Sequence, residues 1–250
     1  MPEPAIQIEK LTFGYHAGEK TLDALDLEVR DGECLGIVGP NGAGKTTLVL
    51  TLAGFCMPDS GSVRILGQDL RRENLAGIRA RMGFVLQNLD DQLFMPTVLE
   101  DVTIGPLKVG LPPAEAEAKA IHLLERMGLA PLANEFPGHL SAGQKRLSTL
   151  ATALIQDPEL LILDEPTLYL DPYARRIFIE QVRPLPHTRL VISHDLEMVL
   201  ELCTRIVILD HGRIAAAGLP NALLADPALM AAHRLEVPHS LRRPNATAMH

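Results

Sequence analysis

Gly39-Pro40-Asn41-Gly42-Ala43-Gly44-Lys45-Thr46 matches the pattern GxxxxGK[ST]. Glycines let a backbone turn tightly and approach a phosphate, and successive N–H groups at a helix start present positive potential to it. Lys45 would hold the β and γ phosphates, and the Thr46 hydroxyl would ligate Mg2+; Thr47 completes the stretch expected to contact nucleotide. A second cluster closes the apolar run Leu160-Leu161-Ile162-Leu163 with Asp164 and Glu165. By itself such an acidic pair reads as a solvated turn or a helix cap. In a chain with a phosphate cradle it reads differently: Asp164 reaches the magnesium, usually through water, and Glu165 polarises the attacking water as general base.

These groups need rigid elements behind them. Cys34 to Val38 reads as a strand entering the cradle, and Thr46 to Ala53 as a helix leaving it. Further strands are expected at Ile6 to Leu11, Leu22 to Val29 and Ser62 to Leu66. From Val98 to Gln156 helical spacing dominates, with one helix after Pro112-Pro113 through Met127 and another opened by Ser141. Beyond it the short apolar runs Leu160 to Leu163, Leu190 to Ile192 and Arg205 to Leu209 alternate with helical stretches at Tyr173 to Val182 and Leu196 to Leu202. That alternation predicts an α/β fold with buried parallel strands and crossover helices.

With 250 residues, 47% of them hydrophobic, the chain can bury one substantial core, and a formal net charge of -8 argues against nucleic acid as main partner. Cys34, Cys56 and Cys203 are scattered and suggest reduced thiols rather than disulfides or a zinc site. The start of the chain lacks the character of a signal peptide, and no apolar run reaches the roughly 18 residues of a membrane span. From about Val237 the chain turns polar and is expected to form a loose tail.

Many machines use a phosphate cradle; Leu140-Ser141-Ala142-Gly143-Gln144 narrows the choice. Alone it reads as a helix cap. Between cradle and acidic strand it resembles the signature of the ABC ATPase family, usually LSGGQ. Other family elements follow in order. Tyr15 resembles the aromatic that stacks on adenine, although a core aromatic would look the same. Gln87 resembles the Q-loop glutamine, which touches magnesium and relays nucleotide state to a membrane partner. Asp171 in Leu170-Asp171-Pro172 resembles the D-loop aspartate, and His194 in Ser193-His194-Asp195 the switch histidine that contacts the γ phosphate. The resemblance covers about residues 5 to 220. Ala142 departs from the usual glycine, and Leu168-Tyr169 from the usual small residues before the D-loop.

The resemblance implies a P-loop NTPase fold of the ABC nucleotide-binding type over 1–236, with an antiparallel β subdomain, a helical insert at about 90–156, and the tail at 237–250. It implies ATP and Mg2+ as cofactors. It also implies a head-to-tail homodimer, or a heterodimer with a paralogue, in which Ser141, Gly143 and Gln144 close over the partner's nucleotide.

After Gln87, the run Asn88-Leu89-Asp90-Asp91-Gln92-Leu93-Phe94, then Pro96-Thr97-Val98, Glu100-Asp101-Val102 and Gly105-Pro106-Leu107, resembles the energy-coupling-factor group, particularly ATPases of cobalt and nickel importers. That group works at the cytoplasmic face of the membrane with a transmembrane coupling protein and a substrate-binding membrane protein. The expected cargo is cobalt, with nickel or a vitamin such as biotin as alternatives. Asp90 and Asp91 are expected to pair with basic residues of the coupling protein. His187, His233, His239 and His250 lack ligand-like spacing and read as incidental. A soluble ABC ATPase acting on DNA or ribosomes is the different-class alternative. A P-loop kinase would leave the signature and His194 without a purpose.

Overall fold

Apolar runs such as Cys34–Val38 need cover on both faces, and a parallel sheet held between two layers supplies it. The structure, a computed structural model, describes residues 3–16 and 18–242. In chain order the elements are β1 (Ile6–Phe13), β2 (Leu22–Val29), β3 (Cys34–Val38), α1 (Lys45–Leu52), β4 (Ser60–Ile65), β5 (Gln68–Asp69), α2 (Leu75–Ala80), β6 (Met82–Val85), α3 (Val98–Lys108), α4 (Pro113–Arg126), α5 (Ala142–Leu154), β7 (Leu160–Asp164), α6 (Pro172–Val182), β8 (Thr188–Ile192), α7 (Leu196–Leu202), β9 (Arg205–Asp210), β10 (Arg213–Gly218), α8 (Pro220–Leu224) and α9 (Pro227–Ala232).

Two sheets result. One has four antiparallel strands in the order β2-β1-β4-β5; the other has six in the order β10-β9-β3-β8-β7-β6, parallel except for the edge strand β10. Strand alternation divides the large sheet between two cores. Leu35, Ile37, Leu160, Ile162, Leu190, Ile192, Val207 and Leu209 pack with α1 and the antiparallel sheet. Cys34, Val38, Leu161, Leu163, Val191, Ile206 and Ile208 pack with Leu150, Phe178 and Val199 of α5, α6 and α7.

The strand register decides what meets at the carboxyl edge. Ile37 and Asp164 both pair with Ile192, and Val85 pairs with Leu163. The loops that leave β3, β6, β7 and β8 therefore emerge side by side, where open α/β sheets place ligands.

Several elements differ from the sequence expectation. β6 and β10 were not expected: Met82–Val85 is only four residues long, and Arg213–Gly218 is an edge strand rich in alanine with no fully buried position. The chain from Val237 does not begin as loose tail. Val237 and Leu241 pack on the helical core, and Glu197 accepts from Ser240 N at 3.0 Å and Ser240 Oγ at 2.6 Å. Residues 243–250 of the expected tail lie outside the described residues. Among the described residues, no helix is long and apolar enough to cross a membrane.

Candidate functional site

The cradle is shaped by backbone that only glycine tolerates. Gly39 has φ 153°, and a Cβ there would sit 2.0 Å from the Leu209 carbonyl oxygen; Gly44 has φ 103° and caps α1. Asn41, Gly42 and Thr46 are exposed, and a Cβ on Gly42 would meet nothing within 4 Å, so this backbone is open to a ligand. Pro40 and Ala43 are buried and anchor the loop; Gly212 N donates to Ala43 O at 3.0 Å.

Lys45 is 7% exposed, and its Nζ donates to Gly39 O at 2.7 Å and Pro40 O at 2.9 Å. Nζ also lies 3.2 Å from His194 Nε2, and because an ammonium only donates, the imidazole accepts there. Burial pushes the Lys45 ammonium below its ordinary range, against the pull of Glu165 and Asp164. Burial, and then the Lys45 charge, likewise lower His194 and favour the neutral ring, with Glu165 opposing.

Glu165 sits at the end of β7 with φ 46°, a conformation that costs energy in a residue with a Cβ and that clusters at functional sites. Its N–H donates to Ile192 O at 2.8 Å; its Oε2 accepts from His194 N at 3.1 Å and Ser193 Oγ at 3.3 Å. His194 Nε2 stands 3.5 Å from Oε1. Asp164 is 5% exposed, and burial, followed by the neighbouring Glu165 charge, raises its carboxyl to about 6, while Lys45 and Arg146 pull it down. No hydrogen bond reaches its carboxylate among the described residues. Asp164, Thr46 and Gln87 carry side-chain oxygens of the type a hard divalent cation takes; Asp164 is buried at the end of β7, whereas Thr46 and Gln87 are exposed.

Tyr15 comes to the same place from the antiparallel sheet. It is half exposed, packs edge-on against Phe13 with centroids 5.1 Å apart, and its hydroxyl lies 3.3 Å from Thr47 Oγ1. Asp171 N-caps α6 by accepting from Tyr173 N and Ala174 N. The signature residues form a separate group. Ser141 and Gln144 make a reciprocal capping box at the start of α5, and a Cβ on Gly143 would lie 2.7 Å from the Ala174 Cβ of α6. Ala142, Leu140 and Lys145 line a cleft of about 480 Å³ with Gln87, Leu89 and Tyr169; no residue of the phosphate cradle borders it.

Sequence reading missed several contributors. Arg146 is fully buried and donates to Leu86 O at 2.6 Å, Gln87 O at 3.3 Å and Glu165 O at 3.3 Å, so one guanidinium joins α5, the Q-loop and the end of β7. Burial lowers it to about 10, with Asp164 and Glu165 opposing. Its lone signal was position, two residues after Gln144 in the helix expected to open at Ser141. Gln92 accepts from Leu86 N at 2.7 Å and donates to Phe84 O at 2.8 Å, and buried Asp101 accepts from Phe94 N and Met95 N, so the segment after Gln87 is pinned at both ends. Asp91 accepts from Asn88; the side chain of Asp90 lies outside the described residues. His187 faces Asp157 and His233 pairs with Asp210, while His250 is outside the description.

Comparison with known proteins gives the family and the fold. A family profile described as ABC transporter matches residues 22–168. A Geobacter sulfurreducens protein named as an ABC transporter ATP-binding protein is 44% identical over 242 residues, 97% of each chain. The energy-coupling factor transporter ATP-binding protein EcfA of Methanothermobacter thermautotrophicus is 38% identical over 241 residues, 94% of this chain and 77% of its own. Among solved structures, cbiO1 from Clostridium perfringens, described as part of the ABC transporter complex cbiONQ, is 29% identical with a TM-score of 0.81 over 92% of this chain and 94% of that one. The ATP-binding cassette MJ0796, in a dimeric post-hydrolysis state bound to ADP and Pi, is 26% identical with a TM-score of 0.77 over 86% and 98%.

Proposed function

The chain belongs to the ABC transporter family, where it is an ATP-hydrolysing cassette, and from that premise we propose that it powers an energy-coupling-factor importer, with cobalt as the cargo. The observation that carries the hydrolytic part is the meeting of Lys45, Glu165 and His194 at the ends of three neighbouring strands. Lys45 binds the β and γ phosphates, exchanging its carbonyl partners for anionic ones. Glu165 accepts the proton of the attacking water, held in place by Ser193 Oγ and His194 N. Neutral His194 orients the γ phosphate. Thr46, Gln87 and Asp164 would hold Mg2+, which when bound neutralises charge on the phosphates.

Ser141, Gly143 and Gln144 stand at the start of a 13-residue helix, where Ser141 and Gln144 bond to each other rather than to Lys45 or Glu165. In our reading they complete the site of a second, head-to-tail copy or of a paralogue, as a positive helix end facing that copy's nucleotide. The dimeric state of the related cassette MJ0796 supports this. The pinned segment after Gln87, together with the names EcfA and cbiO1 among its relatives, supports the energy-coupling group, with the chain peripheral to the membrane through a coupling protein and a substrate-binding protein.

Affinity purification from native membranes, with partners identified by mass spectrometry, tests this. Two small integral membrane proteins are expected; ribosomal proteins or DNA would overturn the importer. In proteoliposomes holding the full complex, ATP-dependent uptake of Co2+ is expected, and preference for Ni2+ or biotin would correct the cargo.

A further inference from the structure

Asp195, the residue after His194, sits where four segments meet. Its carboxylate takes a bidentate pair from Arg175 of α6, Nε to Oδ2 at 2.5 Å and Nη to Oδ1 at 2.9 Å. Oδ2 also accepts from Thr167 Oγ1 at 3.0 Å, two residues beyond Glu165, and Oδ1 accepts from Met198 N at the start of α7. On its backbone side, Asp195 N donates to Ser193 Oγ at 3.0 Å, and that hydroxyl donates to Glu165 Oε2. One carboxylate thus ties the turn after Glu165, the loop carrying His194 and the helix that begins at Asp171.

We propose that Arg175 is a positioning residue for ATP hydrolysis: by clasping Asp195 it fixes the spacing of Glu165 and His194 and locks both to the first turn of α6. A cap for α7 requires only Asp195, and Thr167 already supplies a neutral donor, so capping leaves the guanidinium unexplained. The planar fork adds orientation, because two parallel bonds hold the Asp195 carboxylate plane and with it the path from Asp195 N through Ser193 Oγ to Glu165. Arg175 and Asp195 are each 22% exposed, so the pair is shielded enough to keep its geometry. Glu201 holds the far side of the guanidinium at 3.6 Å and is itself held by Arg183 at 2.8 Å, which leaves Arg175 little freedom to swing away. The neighbouring Ala174 packs against Gly143, so the same helical turn also touches the signature. The proposal rests on the assignment of hydrolysis to Glu165 and His194.

Steady-state hydrolysis by the full chain tests it. Arg175→Ala is expected to lower kcat about ten-fold or more, because displacements near 1 Å carry penalties of that order, while KM for ATP and equilibrium binding of a fluorescent ATP analogue change less than about two-fold. Arg175→Lys, with a single-point donor, falls between. The double variant Arg175→Ala/Asp195→Asn is expected to be no slower than the worse single one. Should Arg175→Ala fail to fold, Arg175→Gln and Arg175→Lys carry the test, each expected to lose more than about two-fold in kcat at nearly unchanged KM. A kcat within about two-fold of wild type in the folded variants overturns the proposal, as do additive losses. Glu165→Gln keeps the two readings apart: if it still hydrolyses ATP, the centre is misassigned; if it does not while Arg175→Ala keeps a kcat within about two-fold of wild type, the clasp alone falls.

Discussion

Lys45 shows how a residue can be read from its neighbours in the chain and yet depend on distant ones. Its type and place in the cradle follow from local sequence, but its three contacts include His194 in the loop after β8, far along the chain. Lys45→Ala is expected to weaken nucleotide binding by ten-fold or more, since it removes the buried charge that meets the phosphates; unchanged binding of a fluorescent nucleotide would contradict the cradle assignment. Asp164, Glu165 and His194 were legible in the same way, each at the end of an apolar run. Arg146 was not. It follows Lys145 in a helix whose polar residues look solvent-facing, and whether a guanidinium faces water or the carbonyls of Leu86, Gln87 and Glu165 depends on what packs against that side of the helix.

Between elements, close approach takes the place of chemistry. α5 and α6 meet at Gly143 and Ala174, where a Cβ on the glycine would lie 2.7 Å from its neighbour. Gly143→Ala should cost about 1–3 kcal/mol by overpacking, and Ala174→Gly in the same chain should restore part of it; urea denaturation of the three variants decides this. The pinned segment between β6 and α3 has its own signature in pH. Burial raises the Asp101 carboxyl above its ordinary range, against two backbone N–H groups, so the folded chain takes up that proton at a higher pH than the unfolded one. The charged form therefore costs stability at neutral pH, and the cost is relieved as pH falls through the folded value. Asp101→Asn should lose this gain: wild type is expected to become more stable relative to the variant on acidification, measured by urea unfolding at neutral and at mildly acidic pH. Short or weakly apolar strands such as β6 and β10 escaped sequence reading because their pairing partners, rather than their own residues, make them strands.

For the whole molecule, the proposed dimer makes a direct prediction. Glu165→Gln should bind ATP, hydrolyse almost none, and elute from gel filtration as an ATP-stabilised dimer; a monomer under these conditions would sink the shared-site reading. The capping box at Ser141 and the cleft beside it stand apart from Lys45 within one chain, which is why a second copy is invoked. The sequence by itself determined the phosphate-binding chemistry, the α/β class and the family. Glycine backbone geometry, a cationic cradle and an acidic strand end are demands met by consecutive residues, and the order of these motifs survives without coordinates. Only the tertiary structure decided which distant groups share a bond: Arg146 with the Q-loop and Glu165, Asp195 with Arg175 and Thr167, Asp101 with the chain before α3. Such pairings follow from strand register, which sets Ile37, Asp164 and Ile192 in one row, and from which face of each helix is buried, and no local pattern encodes either.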